Sequence, residues 1–215
     1  MIRITLSRPW LTADLGQEMR VLSWAPHRPG LAIARQVIWR EVRNQDLTKG
    51  LDATAWLARE LTGIGQTDAV AMLTSRNIEK YTFAEARSGA FQASCLATVG
   101  LSNAERVGYR QPALAAGYGT VNLLVTLSHG LGMPAMTEAL SIATQARTAA
   151  ILTHGPGLPE GPATGTGTDC IALACPPGDM AYAGLHTEPG EVIGRVVYDA
   201  VSEGTRVWMK TENRA

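Results

Sequence analysis

An excess of charge of either sign is missing from this sequence. Its 19 Lys and Arg balance 19 Asp and Glu, for a formal net charge of zero. The chain therefore offers no electrostatic footprint for nucleic acid or for an anionic membrane surface. Long apolar runs are missing too, and no window approaches the roughly 20 residues that a membrane-spanning helix needs. Arg3, Arg8, Asp14, Glu18 and Arg20 break up the opening segment, so no secretory signal is read there and the chain reads as cytoplasmic. Cysteine is scarce: Cys95, Cys170 and Cys175 form neither a C-x-x-C pair nor a disulfide framework. Their apolar surroundings make them buried, reduced packing residues. No Gly-Lys-[Ser/Thr] follows the glycine-rich stretch, which excludes a P-loop. Absence of H-E-x-x-H and of clustered His and Cys leaves no zinc site, and no G-x-S-x-G elbow occurs.

What is present is apolar material for a core. Hydrophobic residues make up 46% of the 215 positions, enough for one domain spanning 1–215. Charged residues are 18%, low for a fully solvated surface, which points to a homo-oligomer interface. Apolar runs at 19–25, 31–42, 68–75, 93–102, 119–128 and 168–175 read as strands, several of them covered on both faces. The segment "PHRPG" joins the first two. Helical spacing predicts helices in "GLDATAWLARELTG", in "PAMTEALSIATQARTAAI" and in "EPGEVIGRVVYDAVSEGTRVWMK". Strands come mostly in succession and helices later, so the fold class is α+β, a mixed β-sheet covered by about three main helices. Residues 211–215 are expected to fray.

Three stretches place polar groups at the ends of apolar elements: "GTVN" (119–122), "GTGTD" (165–169) and "GLHTEPGE" (184–191). Amide hydrolysis needs a base for water, donors for the oxyanion and an acid for the leaving group. Asp169 suits the base, His186 a proton shuttle near neutral pH, and Asn122 a hold on a substrate amide. Backbone N–H groups of the Gly-rich turn suit the oxyanion. Each also has a plainer reading. Asp169 reads first as a turn or cap residue, His186 as a cap or filler, and Glu191 as a first-turn acid that complements the helix dipole. Asn122 is the least expected, because a buried amide inside a strand needs partners. His27, His129 and His154 sit beside loop-forming residues.

At these segments the chain resembles the adenosylcobinamide amidohydrolase family. The residues that carry the resemblance are "VAMLTSRN" (70–77), "VGLSNAERVG" (99–108), "GTVNLLVTLSHGLGMPAMTEALSIATQARTAAI" (119–151), "ATGTGTDCIALA" (163–174) and "YAGLHTEPGEVIGRVVYDAV" (182–201). Where the family has an Asn-Gly-Gly-type turn after an early strand, this chain has "APHRPG". The resemblance implies hydrolysis of the aminopropanol amide of adenosylcobinamide to adenosylcobyric acid, in corrinoid salvage. It implies Asp169, His186 and Glu191 as catalytic residues, with Glu191 orienting His186. It implies Thr74, Asn103, Thr120, Asn122, Gly165, Thr166, Gly167 and Thr168 as substrate-binding. A covalent route through Thr166 or Thr168 stays open beside direct attack by water. The corrinoid is substrate, so no cofactor and no protein-held metal are implied. The residues around His186 also lack the Asp-x-His-x-x-Gly pattern of proteins that ligate cobalt. Two alternatives stand beside this reading: a corrinoid-binding or delivery protein without catalysis, and an amidohydrolase for another amide.

Overall fold

Alternation of burial along the strands sets the architecture. The computed structural model describes residues 2–43, 45–47, 50–109 and 119–212. The chain opens with β1 (Arg3–Ser7), β2 (Trp10–Ser23) and β3 (Gly30–Glu41), then α1 (Ala53–Gly63) and β4 (Val70–Thr74). A single 3-10 turn at Ile78–Lys80 leads into the hairpin of β5 (Thr82–Ser88) and β6 (Phe91–Val99). The short β7 (Ala104–Glu105) precedes β8 (Val121–Leu127) and α2 (Met133–His154). Three two-residue strands follow: β9 (Gly157–Leu158), β10 (Gly161–Pro162) and β11 (Gly165–Thr166). Then come β12 (Cys170–Cys175) and α3 (Glu188–Thr211).

Eight strands make one mixed sheet in the order β4-β3-β2-β12-β8-β6-β5, with β1 also paired to β2. The pairs β3–β4 and β8–β12 are parallel and the rest antiparallel. The long β2 serves two neighbours on one side, β1 along its first part and β12 along its last. Between them its register with β3 jumps from Asp14↔Gln36 to Met19↔Ala34. Gly16, at φ +80°, takes the left-handed backbone this irregularity requires.

At that point the sheet folds back on itself. Leu11, Ala13, Trp39, Val70 and Met72 of one limb share a buried cluster with Leu96, Leu124, Ala172 and Ala174 of the other. The alternate residues point outward, as a period of two demands. Ile38 and Ala71 pack with Leu57 and Leu61 of α1. Cys95, Leu123, Val125, Ile171 and Leu173 pack with α2 and α3. The result is four layers, helix–sheet limb–sheet limb–helices.

Asp14 holds the fold-back. Its carboxylate accepts the Gly16 N–H at 2.8 Å and pairs with Arg35 at 3.1 Å and Arg3 at 3.0 Å. The Gly16 N–H first, then Arg35, hold its pKa below the ordinary carboxylate value. The folded carboxylate thus binds its proton less tightly than the unfolded one. Its contribution is complete above the unfolded value near ~3.9 and is lost as pH falls through the lower folded value. Asp14→Asn is expected to cost about 1–3 kcal/mol at neutral pH, with the gap to wild type closing in acid. Urea midpoints measured from neutral pH down to pH 3 check this.

The α+β class and the three helices agree with the sequence reading, and all six strand segments are present. The three cysteines are buried and free. Beside the two-residue strands and the 3-10 turn, two longer strands went unseen in the sequence. β1 with the first part of β2 is short-patterned and partly polar, and β5 is an edge strand whose burial alternates residue by residue. Of the tail expected to fray, Thr211 is helical, Glu212 caps the helix, and residues 213–215 lie outside the described residues. No helix among the described residues is long and apolar enough to cross a membrane.

Candidate active site

The glycine-threonine turn between β11 and β12 is organised by one side chain. Asp169 Oδ1 accepts the Val121 N–H at 2.9 Å and the Thr166 hydroxyl at 2.5 Å. Its Oδ2 accepts the Thr166 N–H at 3.0 Å and pairs with Arg147 of α2 at 2.9 Å. Both side chains are largely buried, at 5% and 13% exposure, so the pair is strong only because every partner is in place. Glycine at 165 is required by close approach: a Cβ there would stand 2.5 Å from Asp169 Oδ2. Asp169 therefore clasps the turn to the start of β8, and its four acceptor positions are filled.

The turn is a wall shared by two recesses. The first, about 320 Å³, opens between the sheet limbs. Apolar Pro26, Val42, Leu47, Met72 and Leu73 line it beside four residues expected from sequence, Thr74, Thr120, Asn122 and Thr168. Asn122 is 1% exposed and has the partners a buried amide needs. Its Nδ2 donates to the Leu73 carbonyl at 2.6 Å, tying β8 to β4 across the limbs. Thr120 Oγ1 lies 2.8 Å from Asn122 Oδ1 and 2.9 Å from the Thr168 carbonyl, and donates its one proton to either. The Thr168 hydroxyl donates to the Gly119 carbonyl at 3.0 Å. Cys170 also lines this recess, but burial pushes its thiol up to about 12, so it stays protonated at neutral pH.

The second recess, about 460 Å³, carries the charged groups. Gly165, Thr166 and Asp169 line it with Glu105, Arg106 and Arg147. The Thr166 hydroxyl, partly exposed here, donates to a carboxylate, whereas the Thr168 hydroxyl donates to a carbonyl that cannot take a proton. Gly167 sits at the exposed tip of the turn, where a Cβ would come 2.8 Å from Glu105 Oε1. Its N–H bonds to no described residue. Asn103 stands behind the wall: its buried Oδ1 has no partner among the described residues, and a Cβ on Gly119 would lie 2.4 Å from it.

His186 and Glu191 are not with them. Helix α3 starts at the β5–β6 turn, where Glu191 Oε2 accepts the Ser88 hydroxyl at 2.6 Å instead of orienting His186. Its 24 residues extend about 36 Å before Glu212 reaches Arg76 beside the first recess. His186 is exposed, its ring folded against Gly184 of its own loop. The expected Asp169–His186 pair is thus corrected. The two lie at opposite ends of β12, because the strand and the connection after it carry the chain to the far edge of the sheet. His186→Ala is expected to leave turnover unchanged, as steady-state kinetics would check.

The family described as adenosylcobinamide amidohydrolase matches residues 2–213, nearly the whole chain. The chain belongs to the adenosylcobinamide amidohydrolase family. No curated protein matches it in sequence. Membership makes it a hydrolase acting on an amide bond in corrinoid salvage, and sets aside the reading as a carrier without catalysis. Within this amidohydrolase, the charged residues of the second recess, Glu105, Arg106 and Arg147, escaped the sequence reading. Arg147 sits four residues after Ala143 and three before Ala150, on the buried stripe of α2. A charge at stripe spacing was the available signal. Glu105 lies inside "SNAER" with no spacing to mark it, and only the fold of β7 against β11 brings it to Gly167.

Proposed function

We propose that this chain cleaves the aminopropanol amide of adenosylcobinamide at the glycine-threonine turn, with Thr166 as nucleophile and Asp169 as its base. The observation that carries the reading is the 2.5 Å hydrogen bond from the Thr166 hydroxyl to the Asp169 carboxylate at the edge of an open recess. Thr166 Oγ adds to the amide carbonyl carbon and its proton passes to Asp169. The C–N bond then breaks, and aminopropanol leaves with that proton. Water adds to the resulting ester and gives a proton to Asp169. The ester C–O bond breaks, and the proton returns to Thr166 as adenosylcobyric acid forms. Arg147 keeps Asp169 oriented between these steps. The N–H of Gly167, which bonds to no described residue, is the donor for the oxyanion.

A corrin ring is too large to enter a cavity of 320 Å³, so it rests outside and only side chains enter. The apolar wall of the first recess, with Thr74, Thr120, Asn122 and Thr168 at its inner end, receives such a side chain. In this reading the corrinoid is substrate and its cobalt travels with it. The test is incubation of the purified protein with adenosylcobinamide, followed by chromatography and mass analysis. Adenosylcobyric acid and aminopropanol are expected. A corrinoid that binds and is recovered intact would overturn the reading.

A further inference from the structure

The recess that holds Thr166 contains a carboxylate that the turn does not use. Asp169 has its acceptor positions filled by Val121, Thr166 and Arg147. The Thr164 hydroxyl accepts the Val107 N–H at 2.8 Å and lies 3.4 Å from the Glu105 carbonyl. Glu105 lines the same recess and is half-buried. Its carboxylate has no hydrogen-bond or ion-pair partner among the described residues.

Backbone pairing fixes its place. Where β7 meets β11, Glu105 stands opposite Gly165, and Ala104 stands opposite Thr166. The Glu105 carbonyl accepts the Thr164 N–H at 2.9 Å. The side chain reaches the tip of the turn, where a Cβ on Gly167 would come 2.8 Å from Glu105 Oε1. The neighbouring guanidinium is engaged elsewhere: Arg106 Nη1 donates to the Pro162 carbonyl at 2.9 Å and lies against Gly161. Glu105 is therefore held beside the glycine whose N–H serves the oxyanion, with its charge open to the recess.

A carboxylate only accepts hydrogen bonds, so its complement is a donor. The scissile amide has the corrin on its acid side and aminopropanol on its amine side. That amine carries a hydroxyl two carbons beyond the nitrogen, a donor that an ionised acceptor holds better than a neutral one. We propose that Glu105 is the specificity residue for the leaving amine, its carboxylate accepting the aminopropanol hydroxyl. The inference rests on the reaction proposed above and narrows its substrate class. Amides of hydroxylated amines are taken in preference to plain alkyl amides.

A competition between two amides tests this. Adenosylcobinamide and the propylamide of adenosylcobyric acid, which lacks only the hydroxyl, are mixed in equal amounts with the protein, and both rates are followed by mass in one tube. Wild type is expected to favour adenosylcobinamide about ten- to hundred-fold in kcat/KM. Glu105→Ala is expected to lower that preference about tenfold or more, and Glu105→Gln, whose amide oxygen still accepts, to keep an intermediate one. Partial unfolding or a displaced turn slows both substrates alike and leaves the ratio unchanged. A wild type without preference, or Glu105→Ala with the wild-type preference, overturns the proposal. So does loss of both rates together in Glu105→Ala, the result expected of a general base. Should Glu105→Ala fail to fold, Glu105→Gln decides, and an unchanged preference there overturns it. A wild type that cleaves both amides equally refutes only the role of Glu105. A wild type that cleaves neither refutes the reaction, and this inference with it.

Discussion

Thr166→Val is expected to lower turnover of adenosylcobinamide by about 10²–10⁴-fold, while Thr166→Ser keeps most of it. Valine preserves the shape of the side chain and removes the oxygen that donates to Asp169 at 2.5 Å. Serine keeps that oxygen. Asp169→Asn should fall with Thr166→Val, because an amide in that place cannot accept the proton. It would also lose the ion pair with Arg147. The control is Thr168→Val. The Thr168 hydroxyl donates to the Gly119 carbonyl, so its loss should act on binding and leave kcat closer to wild type. Turnover that survives Thr166→Val would return the reaction to direct attack by water. Glu105, the other carboxylate on the recess wall, would then become the base.

Arg147→Met should destabilise the fold by about 3–5 kcal/mol, the cost of leaving one member of a buried ion pair without its partner. Asp169 would then hold a negative charge at 5% exposure with only backbone and hydroxyl donors around it. The double variant Arg147→Met with Asp169→Asn should recover part of that loss, since it removes both charges together. Chemical denaturation of the four proteins gives the coupling directly. If the single and double variants lose the same stability, the pair does not hold the turn.

Much of this fold could be read from pattern. Strand 170–175 is apolar without interruption, and 121–127 is broken only by Asn122 and Thr126, because the opposite sheet limb covers one face and α2 and α3 cover the other. Helix α3 declared itself through Val192, Ile193, Val196, Val197, Ala200 and Val201, all of which are buried. The folding back of the sheet was not legible. It depends on a register jump around Gly16 and on Asp14, and in one dimension these look like an ordinary turn residue and an ordinary acid. The site divided along the same line. Thr74, Thr120, Asn122 and Thr168 meet in one recess although they come from three separate segments, since each stands at a strand end that the fold brings to one edge. His186 also stands at the end of an element, but at the opposite edge. Spacing along the chain does not say which end of a sheet a loop occupies, and that depends on the direction of β12 relative to α3.

The most direct measurement is the mass of the protein during turnover. Wild type mixed with adenosylcobinamide, quenched in acid within the first turnovers and digested, should yield a peptide containing Thr166 that carries the corrinoid as an ester. The same peptide from Thr166→Val should be unmodified. Rapid formation of adenosylcobyric acid with no modified Thr166 peptide at any quench time, and undiminished product from Thr166→Val, would contradict the account.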